Sequence, residues 1–203
     1  YYGRWTYKFE EAARKGAAAA LIIHDTDGAS YGWDVVRNSW SGPQYDLPAK
    51  DDPAPRVPVQ GWITGEAADA LFKAAGQDLR KLRAAAGKRG FKPVPLDATA
   101  SLQLASRSVE KRSRNVIGML PGSEAPEEAI VYMAHWDHLG THEGETGDNI
   151  YNGAVDNATG IAGILEIAEA FRKAPTPPKR SVLFLADTLE ESGLLGSKYY
   201  VAH

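Results

Sequence analysis

The chain has 203 residues, 43% of them hydrophobic, with a formal net charge of -3 and no cysteine. That length and composition suit one large or two modest globular domains and exclude a disordered tail. The interspersed charges exclude a basic field for nucleic acid or a polybasic membrane patch, and the missing thiols leave any metal to His, Asp and Glu.

Residues Tyr7 to Lys15 carry a helix-like mixture closed by Gly16, and Ala17 to His24 come next as a short apolar run, which predicts a helix and then a buried strand. From Asp25 to Pro58 the sequence is dense in Gly, Pro, Asp, Ser and Trp, so long surface loops are expected there. Trp62-Ile63-Thr64 predicts a strand, Gly65 to Ala75 an amphipathic helix, and Asp78 to Ala86 a second helix closed by Gly87. Gly and Pro then concentrate between Lys88 and Pro95, which places a domain boundary near residue 95, with residues 1–95 in one domain and 96–203 in the other. After it, Asn115 to Leu120, Ile130 to Ala134 and Ser181 to Ala186 read as strands, and Gly160 to Arg172 repeats Ile, Leu and Ala at helical spacing. The alternation predicts an α/β fold with a partly parallel sheet covered by helices on both faces. No apolar run reaches the roughly 18 residues of a membrane span. The sequence opens on Tyr1-Tyr2-Gly3 and closes on Tyr200-Val201-Ala202-His203, and is expected to be an internal piece of a longer chain.

Chemistry collects directly behind the two best strands. Ile130 to Ala134 runs into His135-Trp136-Asp137-His138, and Ser181 to Ala186 runs into Asp187-Thr188-Leu189-Glu190-Glu191. Ligands of open α/β sheets bind outside the carboxyl ends of strands, so both segments are expected at one site. Gly153-Ala154-Val155-Asp156-Asn157 leads into the predicted helix from Gly160 and supplies a third element. Each has a plainer reading: Asp156 or Asn157 suits a helix cap, Glu190-Glu191 a solvated first turn, and His135 with Asp137 a surface pair. Together they supply what a hydrolytic metal site needs. His135, Asp156 and Glu191 are candidate ligands, the Asp137 carboxylate would hold the other imidazole nitrogen, and Glu190 is left to act as base. His24, His138 and His142 are looser candidates, with His138 read as structural. Zincin, nucleophile-elbow and phosphate-loop signatures are absent from the sequence.

These three motifs, completed by Ser192-Gly193-Leu194-Leu195-Gly196-Ser197, resemble the bacterial dinuclear-zinc aminopeptidases that carry an inserted protease-associated domain, relatives of glutamate carboxypeptidase and the transferrin receptor. Gly3-Arg4-Trp5 through Leu47 is similar to the middle of such an inserted α+β domain. The resemblance implies two Zn²⁺ ions: His135 on one, Asp156 bridging both and Glu191 on the second. It also implies Glu190 as base, Asp137 orienting His135, and a cis peptide between Asp156 and Asn157. A further Asp and a further His ligand are expected beyond residue 203. The activity implied is removal of N-terminal residues from a peptide substrate, in a secreted or periplasmic protein. A carboxypeptidase of the same fold and a non-catalytic binding ectodomain are the alternatives.

Overall fold

A computed structural model describes residues 1–141 and 146–203, so His142 lies outside the described residues. The chain divides into two compact units, the first of residues 1–43 and 54–108, the second of residues 44–53 and 109–203.

In the first unit, the elements in chain order are α1 (Trp5–Arg14), β1 (Ala19–Ile23), α2 (Thr26–Ala29), α3 (Trp33–Ser39), β2 (Val59–Ile63), α4 (Gly65–Ala74) and α5 (Leu79–Ala86). Strands β1 and β2 pair in parallel, with Ala19 opposite Val59 and Ile23 opposite Ile63. The core is Phe9, Val36, Val57, Ala68 and Leu79, beside edge-on contacts of Trp5 with Phe9, Trp40 and Trp62. Helices α4 and α5 are capped by side chains: Thr64 Oγ1 accepts the Ala67 N–H at 3.1 Å and Asp78 Oδ1 the Lys81 N–H at 3.0 Å. Such caps satisfy donors that a first helical turn cannot pair internally. The stretch expected as loops holds α2 and α3. Both are short, and turn-rich composition hides a helix of one or two turns.

The second unit contains β3 (Val116–Leu120), β4 (Ala125–His135), β5 (Gly140–Thr141), β6 (Ile150–Tyr151), α6 (Thr159–Lys173), β7 (Arg180–Asp187) and α7 (Leu195–Ala202). The main sheet has the order β3-β7-β4; β7 is antiparallel to β3 and parallel to β4. The path from β4 through α6 to β7 is a crossover between neighbouring parallel strands, the arrangement that makes a sheet partly parallel. Tyr132 of β4 sits opposite Phe184 of β7, their rings stack at 6.0 Å, and Phe171 of α6 closes on both. Helix α6 therefore covers that face. On the other face Leu185 is buried but Ile117, Met119, Val131 and Met133 stay about half exposed, so among the described residues a helix covers one face rather than the expected two. No described helix is long and apolar enough to cross a membrane.

Register fixes where the two motif loops emerge. His135 ends β4 directly opposite Asp187, which ends β7, and the Trp136 N–H donates to the Asp187 carbonyl at 2.9 Å. Both loops consequently leave the sheet side by side at the carboxyl ends of its parallel strands.

Candidate active site

His135 is nearly buried, and its two ring nitrogens have different jobs. Nδ1 lies 3.0 Å from the Asp137 carbonyl oxygen. A carbonyl only accepts, so Nδ1 carries a proton, and Nε2 is the ring nitrogen left to meet the carboxylates or a cation. That nitrogen faces Asp156 Oδ1 at 2.9 Å and Glu190 Oε2 at 3.7 Å. Burial pulls the His135 pKa down, but the Asp137 carbonyl and the charges of Glu190, Asp137 and Asp156 outweigh it, so the net direction is up. Glu190 is raised as well, chiefly because burial disfavours its charge; His135 opposes this, while Glu191, Asp156 and Asp137 add to it. Asp187, 2% exposed, is pushed up first by burial.

The Asp137 carboxylate holds the loop after β7, and the Asp137 carbonyl holds the imidazole. Its Oδ1 accepts the Glu190 N–H at 3.1 Å and its Oδ2 the Glu191 N–H at 3.4 Å, while its nearest carboxylate oxygen is 3.7 Å from His135 Nδ1. Sequence spacing assigns that imidazole contact to the carboxylate; the structure assigns it to the carbonyl, because the carboxylate is engaged by two backbone donors. Leu189, just ahead of the pair, has φ 56°, an uncommon left-handed conformation for a branched side chain. The two glutamates diverge: Glu190 turns toward His135, and Glu191 Oε1 takes a hydrogen bond from His138 Nδ1 at 2.7 Å.

Asp156 sits in a wide turn over Ala154–Ala158, and its peptide bond to Asn157 is cis. Asn157, not Asp156, serves the helix, since its Oδ1 accepts the Gly160 N–H at 3.0 Å. That leaves the Asp156 carboxylate, 67% exposed, to face His135. The loop after β7 is anchored from behind by Asn115, whose Oδ1 accepts the Thr188 N–H at 3.2 Å and whose Nδ2 donates to the Gly196 carbonyl at 2.8 Å. His24 lies in the first unit, where Nε2 donates to the Tyr31 carbonyl at 3.1 Å between the Tyr31 and Trp33 rings, a satisfied core histidine.

The motif residues thus group as His135 with Asp156 and Glu190, and Glu191 with His138, joined through Asp137. Among the described residues, no three of His, Asp and Glu converge on one point as a closed set of metal ligands. The donor chemistry fits a divalent cation of zinc's type even so: an imidazole nitrogen beside two carboxylates, with the opposite ring nitrogen pinned by a carbonyl.

Comparison with known proteins bears on this loop cluster directly. Residues 115–203 match peptidase family M28. That segment contains His135, Asp137, Asp156, Glu190 and Glu191. Among similar proteins, Aminopeptidase NAALADL1 of Rattus norvegicus is 30% identical over 115 residues, covering 53% of this chain and 14% of the relative. A "Glutamate carboxypeptidase 2 homolog" of Caenorhabditis elegans is 33% identical over 105 residues, covering 50% and 12%. A "Probable zinc metalloprotease" of Pyrenophora teres f. teres is 38% identical over 84 residues, covering 41% and 17%. The chain therefore spans less than a fifth of the length of these relatives.

Two contributors to this geometry escape sequence reasoning. His138 reads as structural from sequence, although a second histidine three positions after the first, at the same strand end, is the available signal. Asn115 offers none, because its partners Thr188 and Gly196 lie more than 70 residues away.

Proposed function

We propose that this chain is part of a zinc-dependent exopeptidase that removes N-terminal residues from peptides. His135, Asp156 and Glu191 serve as ligands of a two-ion site, and Glu190 as its base. The reading is carried by one observation: Nε2 of His135, the Asp156 carboxylate and the Glu190 carboxylate come together at the carboxyl ends of β4 and β7, inside the segment that matches a peptidase family. The zinc chemistry is supported by the donor set and by the printed name of the fungal relative. Residues 1–95 as part of a protease-associated domain, two further ligands beyond residue 203, and a secreted or periplasmic location belong to the same proposal, on the resemblance of the motifs.

Zinc held by His135, Asp156 and Glu191 would polarise the scissile carbonyl and acidify a water molecule. Glu190, partly buried and with its pKa raised, is suited to take a proton from the attacking water and return it to the leaving amine, because a base works best when its pKa approaches the working pH. Asp137 holds the backbone of both glutamates, so that one faces the water while its neighbour faces the cation. The Asp137 carbonyl keeps His135 in the tautomer that exposes Nε2.

The test uses the complete gene product with free and N-acylated peptides, with and without chelator. Glu190→Gln should keep its zinc and lose at least about 100-fold in kcat, while Glu191→Gln should lose zinc. Equal turnover of wild type and Glu190→Gln would refute the assignment. Preference for blocked N-termini would instead favour the carboxypeptidase reading that the nematode relative's name suggests, and zinc binding without turnover would favour a binding ectodomain.

A further inference from the structure

Consecutive residues at the end of β4 grip the same glutamate in different ways. Asp137 takes the backbone N–H of Glu191, and His138 takes its side chain. A carboxylate at neutral pH only accepts, so His138 Nδ1 is the donor of the 2.7 Å bond to Oε1, and Oε2 is left for another partner. Both side chains are about three-quarters shielded, at 24% and 22% exposure, so water competes weakly for the bond. The base of the His138 side chain lies close to Gly153, where the turn that delivers Asp156 begins. A Cβ placed on Gly153 would come within 3.1 Å of His138 Cβ and Cγ and 3.0 Å of the Asp156 carbonyl oxygen. Gly153 also has φ 64°, and the Tyr151 ring meets the imidazole edge-on at 6.4 Å. His138 therefore reaches from close beside Gly153, at the start of the turn that carries Asp156, to the Glu191 carboxylate.

We propose that His138 is a positioning residue that fixes the Glu191 carboxylate for metal binding and sets its spacing from Asp156. This rests on the metal-peptidase reading. Carboxylates that ligate metals are commonly oriented by a hydrogen bond on the oxygen not facing the ion, and losing such a partner typically weakens metal binding about 10–100-fold. The bond also removes Glu191 from competition with Glu190 for His135, which keeps the two adjacent carboxylates in separate roles.

The experiment compares three variants of the complete gene product in zinc affinity by chelator competition, in kcat and KM, and in thermal stability without metal. His138→Asn places an amide donor near the position of Nδ1. His138→Gln reaches instead to the position of Nε2. His138→Phe keeps a ring against Gly153 and has no donor. Zinc affinity should fall about 10–100-fold in His138→Phe and His138→Gln but stay within about threefold of wild type in His138→Asn. kcat should track zinc occupancy, KM should stay near wild type, and the metal-free melting points should stay close together. Wild-type zinc affinity in His138→Phe, or equal losses in all three variants, overturns the inference while leaving the peptidase reading intact. Should His138→Phe fail to fold, His138→Gln against His138→Asn decides the same question. A wild-type protein that binds no zinc overturns the peptidase reading, and the role of His138 with it.

Discussion

Gly196 is the tightest joint in the second unit, and substituting it gives the sharpest test of the arrangement behind the glutamate pair. A Cβ built there would lie 2.1 Å from the Thr188 carbonyl oxygen, 2.7 Å from the Thr188 nitrogen and 2.7 Å from Asn115 Oδ1. Two of those three atoms are backbone and cannot swing aside. Gly196→Ala must therefore push the start of α7 away from the end of β7. That movement stretches the Gly196 N–H bond to the Thr188 carbonyl at 2.9 Å and the Asn115 Nδ2 bond to the Gly196 carbonyl at 2.8 Å. Overpacking costs about 1–3 kcal/mol and each of the two lost hydrogen bonds about 0.5–1.5 kcal/mol, which together give about 2–6 kcal/mol. In a domain of about 100 residues this lowers the melting point by about 10–30 °C. The control is Gly163→Ala in α6, where an added Cβ meets nothing within 4 Å. Replacing a mid-helix glycine there should be neutral or stabilise by up to about 1 kcal/mol. Denaturant melts of both variants give the numbers. A Gly196→Ala variant within about 1 kcal/mol of wild type would show that α7 does not seat against Thr188 as described.

Asp137→Asn removes one of two carboxylate oxygens that hold backbone N–H groups and sets an amide donor against a donor; zinc affinity should fall about 10–100-fold, measured by chelator competition. Unchanged affinity would mean that the loop after β7 is held by Asn115 alone. Asp25→Asn probes pH. The Arg83 guanidinium bonded to the Asp25 carboxylate holds it below its ordinary pKa, so its contribution is present above the unfolded value near about 3.9 and is lost as pH falls through the lower folded value. Wild type should therefore lose more stability between about pH 5 and pH 2 than Asp25→Asn, in melting curves across that range; parallel losses would refute the ion pair's role.

The long elements were legible because each writes its own periodicity. α4, α5, α6, β1 and β7 fall within a few residues of where apolar spacing and the glycine stops put them. The meeting of the motif loops at neighbouring strand ends was legible too, since His135 and Glu190-Glu191 come right behind the two best apolar runs and α/β topology brings such ends together. α2 and α3 were not legible, being too short to show a period. Nor was the partial cover of the sheet, because periodicity records which side chains are apolar, not which element packs on them.

Finer assignments at the site depend on which atom of a residue meets which partner, and that is decided by register. Pairing His135 with Asp187 across β4 and β7 brings the Asp137 side chain under the Glu190 and Glu191 amides, leaving its carbonyl to His135. In sequence, Asp137 is simply two residues from a histidine, and the carboxylate is the natural guess. Asn157 and Asp156 were interchangeable as helix cap until the turn set Asn157 against Gly160 and left Asp156 facing His135. His138 stands 53 positions from Glu191, and Asn115 stands 81 from Gly196. Residue types and their order along the chain settle which chemistries are available. Contacts across such separations exist only once the sheet has paired, so the division of labour among neighbouring carboxylates and histidines is a property of the folded chain.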